Sequence, residues 1–160
     1  MISSKRPAFA KLDAKLTRAA RELDEINRFL ENCENLALAP DGWARMSATA
    51  LGVHNVYNDV ENVMLSLALD IDSSVPVREA SHQDLLDQLS VPIDGKRPAL
   101  LDTGLLELLT ELKGFRRVVR HRYGFDLKPA KIQENLERLR KAFPAFVRAV
   151  QELERAMTSE

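Results

Sequence analysis

Four long segments of this chain carry apolar residues at alternating spacings of three and four, and that periodicity commits most of the sequence to amphipathic helices that must pack on one another. The first runs from about Ala8 to Ala37, with Leu12, Leu16, Ala19, Leu23, Ile26, Leu30 and Cys33 on one stripe and Arg18, Glu22, Glu25 and Arg28 opposite. Ala39-Pro40-Asp41-Gly42 breaks it, and Asp41 is expected to cap the next helix. That second helix, from about Trp43 to Asp70, has Met46, Ala50, Val53, Tyr57, Val60, Met64 and Leu67 as its buried side. After the loop at Ile71 to Pro76, a short helix is expected from about Ser81 to Leu89, with Ser81 as cap and Asp84 at the reciprocal acid position.

The third long helix spans about Ala99 to His121, with Leu101, Leu105, Leu108, Leu109, Leu112, Phe115 and Val119 facing inward, and stops where Gly124 suits a left-handed C-terminal position. Pro129 opens the last, which Ile132, Leu136, Leu139, Phe143, Phe146, Val150 and Leu153 carry to about Met157; Pro144 inside it should bend it. No segment reads as a strand. The expected fold is all-α, an up-down bundle of four principal antiparallel helices plus a short extra helix. At 160 residues and 45% apolar content, residues 1–160 read as one domain with a real core. A lone cysteine, Cys33, excludes an internal disulfide and fits a reducing compartment. No apolar run is long enough to span a membrane, and Lys5, Arg6, Lys11 and Asp13 interrupt the N-terminus where a signal peptide would be apolar, so a cytoplasmic location is expected.

The formal charge of -1 conceals one concentrated feature. Between Lys113 and Arg122 the chain reads KGFRRVVRHR, five basic residues without an acid, whereas residues 79 to 94 carry only acidic charge. A basic stretch in a neutral protein points to a site for an anionic ligand. There is no glycine-rich phosphate loop, no HExxH and no cysteine–histidine ligand set, so neither a metal nor a cofactor is expected. Of the three histidines, His82 sits in a polar stretch and reads as exposed. His54 is placed to share a helix face with Tyr57 and Glu61, where hydrogen bonding to a neighbour accounts for it. His121 closes a helix amid the arginines. An imidazole can move a proton near neutral pH, and guanidinium groups hold phosphate through paired hydrogen bonds, a combination suited to metal-independent cleavage of a phosphodiester.

Arg116 to Tyr123, RRVVRHRY, fits the pattern R-x4-H-x-Y. With its GFRRVVRHRYGFDL context and the segment HNVYNDVENVMLSLALDID from His54 to Asp72, the chain resembles the HepT-like toxins of the all-helical HEPN superfamily, over most of its length. The resemblance implies an endoribonuclease whose active site forms where two copies meet, with Arg116 and His121 as the catalytic pair. It also implies a cognate nucleotidyltransferase antitoxin that attaches AMP to Tyr123. Arg117, Arg120, Arg122 and Lys113 are then contacts to RNA. One position departs from the family pattern: the residue after the motif arginine is commonly polar, often asparagine, and here it is Arg117.

On an ideal helix Arg116 and His121 lie about 140° apart, whereas Arg117 and His121 share a face, so motif and helical wheel favour different arginines. Local unwinding near His121, or pairing between two chains across a two-fold axis, would reconcile them. Two other functions fit the same fold. One is a non-catalytic dimeric partner of a nucleotidyltransferase, and the other a structural dimer in which the arginines are surface charge or pair with Glu107 and Glu111.

Overall fold

The computed structural model describes residues 6–39, 42–76, 81–121 and 127–158, and among these the chain is helical with no strand. Five α-helices occur: α1 (Pro7–Asn35), α2 (Trp43–Leu67), α3 (Ser81–Ser90), α4 (Thr103–His121) and α5 (Pro129–Thr158). This is the expected architecture, four principal helices and one short one. Asp41 and Gly124, expected to punctuate the chain, lie outside the described residues.

The pairing of α1 with α2 is legible in a ladder of polar contacts whose positions run in opposite directions along the two helices. Lys15 reaches Ser66 at 2.6 Å, Arg18 donates from Nε to Asp59 at 2.9 Å, and Asn55 donates to Glu22 at 2.9 Å. Farther along, Gly52 lets the helices approach where Ile26 crosses. Helix α5 closes the bundle antiparallel to α1, with Arg140 on Asn27 at one end and Arg6 on the Met157 carbonyl at the other. All seven expected inward residues of α2 and of α5 are buried, and so are most of those on α1 and α4. Helix α2 goes further than a one-sided stripe: Val56 and Val63 are buried too, with Thr49, Asp59 and Glu61, because α1, α4 and α5 all pack on it.

Three boundaries differ from the sequence expectation, each for a local reason. Helix α4 begins at Thr103, not Ala99: the Leu100 and Leu101 amides donate to the Leu89 carbonyl, and Asp102 caps the helix by accepting the Leu105 N–H at 2.8 Å. At the end of α2 the chain widens into a π-helical turn over Ala68–Asp72, closed by Ser73 in the left-handed region at φ 57°. Helix α1 stops at Asn35 because Ala37 adopts φ 52°. Helix α5 passes through Pro144, whose ring is on the solvent side.

The π turn aims the Asp72 carboxylate inward, where Arg97 grips it with Nε at 2.6 Å and Nη2 at 2.8 Å. Gln88 of α3 donates to the same carboxylate at 2.7 Å. This buried cluster ties α3 and the loop before α4 to the end of α2.

Candidate active site

Helix α4 carries the basic stretch, and its inner stripe of Leu105, Leu109, Leu112 and Phe115 fixes its rotation against the bundle. Arg116 follows Phe115 and is drawn toward α2 and α3, with only 15% of its side chain exposed. Three groups hold its guanidinium. Asn58 accepts from Nε at 2.6 Å, His82 Nε2 lies 3.2 Å from Nη1, and a Glu61 carboxylate oxygen is 3.7 Å from Nη2. Glu61, buried on α2, also meets His82 Nδ1 at 2.8 Å.

Behind this layer, the Asn58 amide donates to His54 Nε2 at 2.9 Å. Burial of His54 and the positive charges of Arg116 and Arg120 press its imidazole toward the neutral form. The Tyr57 phenol is pushed well above its ordinary value, first by burial and then by the neighbouring Glu61 charge; its hydroxyl sits near Glu61 without a hydrogen bond of normal geometry. The expected face of His54, Tyr57 and Glu61 therefore exists, and it backs the basic helix.

On the outer side, His82, Gln83, Lys113, Gly114, Arg116, Arg117, Arg120 and His121 line a cleft of about 630 Å³. No acidic residue belongs to this lining. Lys113 reaches back to Gln83 on α3, while Arg117, Arg120 and His121 are exposed. Helix α4 is continuous to His121, so no unwinding brings Arg116 and His121 together. The cleft accommodates both, because it follows α4 from the side facing α3 to its C-terminal end. Glu111 pairs with Arg138 of α5 at 3.7 Å, not with the cleft arginines. Arg122 and Tyr123 lie outside the described residues.

A family model described as HepT-like protein matches residues 48–157. The chain belongs to the HepT-like family. The matched span runs from early α2 to the end of α5 and contains every residue of the cleft and its backing layer. Comparison with curated proteins and with solved structures gave no match. HepT-like membership places the chain among HEPN-type proteins of toxin–antitoxin systems, which are generally ribonucleases. Among the described residues, no helix is long and apolar enough to cross a membrane, and no group of three or more His, Cys, Asp or Glu is arranged to hold a metal ion.

Sequence reasoning missed His82, Glu61 and Asn58 as parts of the site. His82 gave no local signal, since its importance arises only when α3 folds over α4. Glu61 did give one: a carboxylate that falls among Val60, Val63 and Met64 on a nearly apolar helix needs a buried partner.

Proposed function

We propose that this HepT-like chain is an endoribonuclease toxin that cuts RNA without a metal ion and is neutralised by a nucleotidyltransferase antitoxin. The observation that carries the reading is the cleft walled by Lys113, Arg116, Arg117, Arg120, His82 and His121 with no acid in its lining, a surface that favours a polyanion. Lys113, Arg117, Arg120 and Arg122 hold backbone phosphates, Arg116 stabilises the charge that builds on the reacting phosphoryl group, and His121 moves a proton. Both tasks fall to side chains of the cleft, so the reaction should run in EDTA.

The site works as a homodimer in which the two basic helix ends share one groove, a polyanion bridging charges that would otherwise repel. Silencing is explained by chain distance. Tyr123 is two residues beyond His121, at most about 7 Å of backbone, so AMP attached there brings an anionic phosphate within reach of Arg120 and His121. It would occupy the place of an RNA phosphate.

Incubation of the purified chain with total RNA in EDTA tests the reading. Cleavage that disappears in His121→Ala is the expected result. An intact chain that binds RNA but leaves it uncut would favour the non-catalytic partner of a nucleotidyltransferase instead.

A further inference from the structure

We propose that His82, held by Glu61, is a second catalytic residue of the RNA-cleaving cleft and takes the proton of the ribose 2′-hydroxyl. The proposal rests on the ribonuclease reading and deepens it by dividing the proton transfers between two imidazoles of the cleft, His82 and His121.

The hydrogen bonds of His82 settle its tautomer. A carboxylate can only accept, so at 2.8 Å from Glu61 it is Nδ1 that carries the hydrogen. A guanidinium can only donate, so Nε2, 3.2 Å from Arg116 Nη1, presents its lone pair. His82 is thus held with Nδ1 on the buried Glu61 carboxylate and Nε2 toward Arg116, both His82 and Arg116 lining the cleft. That is the arrangement of an activated base with its orienting acid. The His82 side chain is 40% exposed and the Glu61 side chain 8%, so one end of the pair is open to a substrate and the other sealed.

The contact with Arg116 supplies the coupling. A phosphate oxygen taken up by Arg116 Nη1 would lie about 3 Å from that nitrogen. Nη1 carries two hydrogens, so it can hold that phosphate through one of them while the ribose beside it comes within reach of His82. The charged groups facing His82 are Glu61 on α2 and Arg116 on α4, with Lys113, Arg117 and Arg120 along the same cleft wall. His121 lines the cleft from the end of α4.

The reaction balances with these two groups. His82 Nε2 takes the hydrogen of the 2′-hydroxyl, the 2′-oxygen forms a bond to phosphorus, and the bond from phosphorus to the 5′-oxygen breaks. That oxygen receives the proton of His121. The products are a 2′,3′-cyclic phosphate and a 5′-hydroxyl, and proton exchange with water resets both imidazoles.

The test compares wild type, His82→Gln and His121→Ala on a short oligonucleotide with a single ribonucleotide, and on the same oligonucleotide with sulfur in place of the bridging 5′-oxygen. A thiolate leaves without a proton, so the sulfur substrate should restore cleavage to His121→Ala but not to His82→Gln. His82→Gln should lower kcat at least about 100-fold, remove the fall in rate toward acid pH, and leave affinity for the 2′-O-methyl oligonucleotide and the melting temperature unchanged. His82→Asn provides the same loss of basicity should glutamine disturb α3. Cleavage by His82→Gln within threefold of wild type would overturn the role of His82 while the ribonuclease reading stands. A slowed variant that keeps the acid fall of the rate, or that the sulfur substrate rescues, would also overturn it, by making His82 a holder of Arg116 or the acid. A wild-type chain that cuts neither substrate would overturn both readings together.

Discussion

Replacement of Asp72 by alanine should be among the most damaging single changes to this fold. Its carboxylate receives parallel hydrogen bonds from Arg97 Nε at 2.6 Å and Nη2 at 2.8 Å, and the two side chains are 2% and 1% exposed. Arg97 directs further donors to the carbonyls of Gln88, Val91 and Pro98 at 2.9–3.0 Å. Without Asp72 the guanidinium stays charged and buried among dipoles alone, since it cannot give up its proton. Breaking a buried pair in this way costs about 3–5 kcal/mol, against a total stability of roughly 5–15 kcal/mol. For a chain of this length that corresponds to a fall in Tm of about 6–20 °C. A double replacement, Asp72→Leu with Arg97→Met, should recover most of the loss, because apolar side chains of similar volume replace such pairs at little cost.

The same pair predicts a pH dependence. Burial alone would raise the Asp72 carboxyl, but hydrogen bonds from Arg97 and Gln88, with the charges of Arg97 and Lys96, outweigh it and hold the group below its ordinary value. A carboxyl depressed by folding stabilises the fold at pH above its unfolded value, near ~3.9, and that contribution is lost as pH falls through the folded value. The gap between wild type and Asp72→Ala, measured by urea unfolding, should therefore be flat from about pH 7 to 5 and narrow below about pH 4. An Asp72→Ala chain less than about 1 kcal/mol weaker at pH 7, the size of an ordinary surface change, would refute the reasoning.

Three further outcomes are expected, two from the geometry and the last from the proposed function. Arg120, exposed on the cleft wall, should act as a phosphate contact: Arg120→Ala should weaken RNA binding across sequences and reduce the slope of log K against log salt by about one, as read by fluorescence anisotropy. Gly52→Ala would set a Cβ 2.6 Å from Ile26 Cδ1 and nearer still to Cγ1. The two helices must separate to admit it, so a loss of about 1–3 kcal/mol is expected by denaturant unfolding. Incubation with the cognate nucleotidyltransferase and ATP should add about 329 Da per AMP in intact-mass analysis, the increment set by the chemistry of attachment. Tyr123→Phe should abolish both the addition and the silencing of cleavage.

How far the sequence disclosed this molecule depends on whether a feature is local. Stripes such as Met46, Ala50, Val53 and Tyr57 are set by the helical period alone, and the structure buries all four. Leu100 and Leu101 continue the apolar pattern, so periodicity alone starts α4 earlier than Thr103, where it begins. They are buried by the loop that hydrogen-bonds to Leu89, while the helix waits for its cap at Asp102. The π turn had no periodic signature, since Leu67, Ala68 and Ile71 read equally well as one more helical turn. In the cleft, the basic wall was legible as a run of adjacent residues on one helix. Its backing was not, because Glu61, His82 and Arg116 meet from three helices and are joined by tertiary packing.

That backing also distinguishes the two arginines that motif and helical wheel set against each other, and it supports the proposed role of Arg116. Arg117 shares a face with His121 but stands in solvent, whereas Arg116 is held by Asn58, Glu61 and His82 before any ligand arrives. A cation that is already ordered stabilises developing charge without losing rotamer entropy during the reaction, which suits Arg116 to the reacting phosphate and Arg117 to binding. Asn58 is the sharpest probe of this difference, since it holds Nε at 2.6 Å yet does not line the cleft. Asn58→Ala removes that hydrogen bond and leaves the charge of Arg116 in place. A bond of this kind is worth about 1.5–3 kcal/mol, and if roughly half is realised only in the transition state, kcat should fall about 4- to 12-fold. KM and affinity for 2′-O-methyl RNA should hold, because the proposed backbone contacts of Arg117 and Arg120 remain. An Asn58→Ala chain with unchanged kcat and a raised KM would show that Arg116 binds substrate and transition state alike, and would return the catalytic role to Arg117.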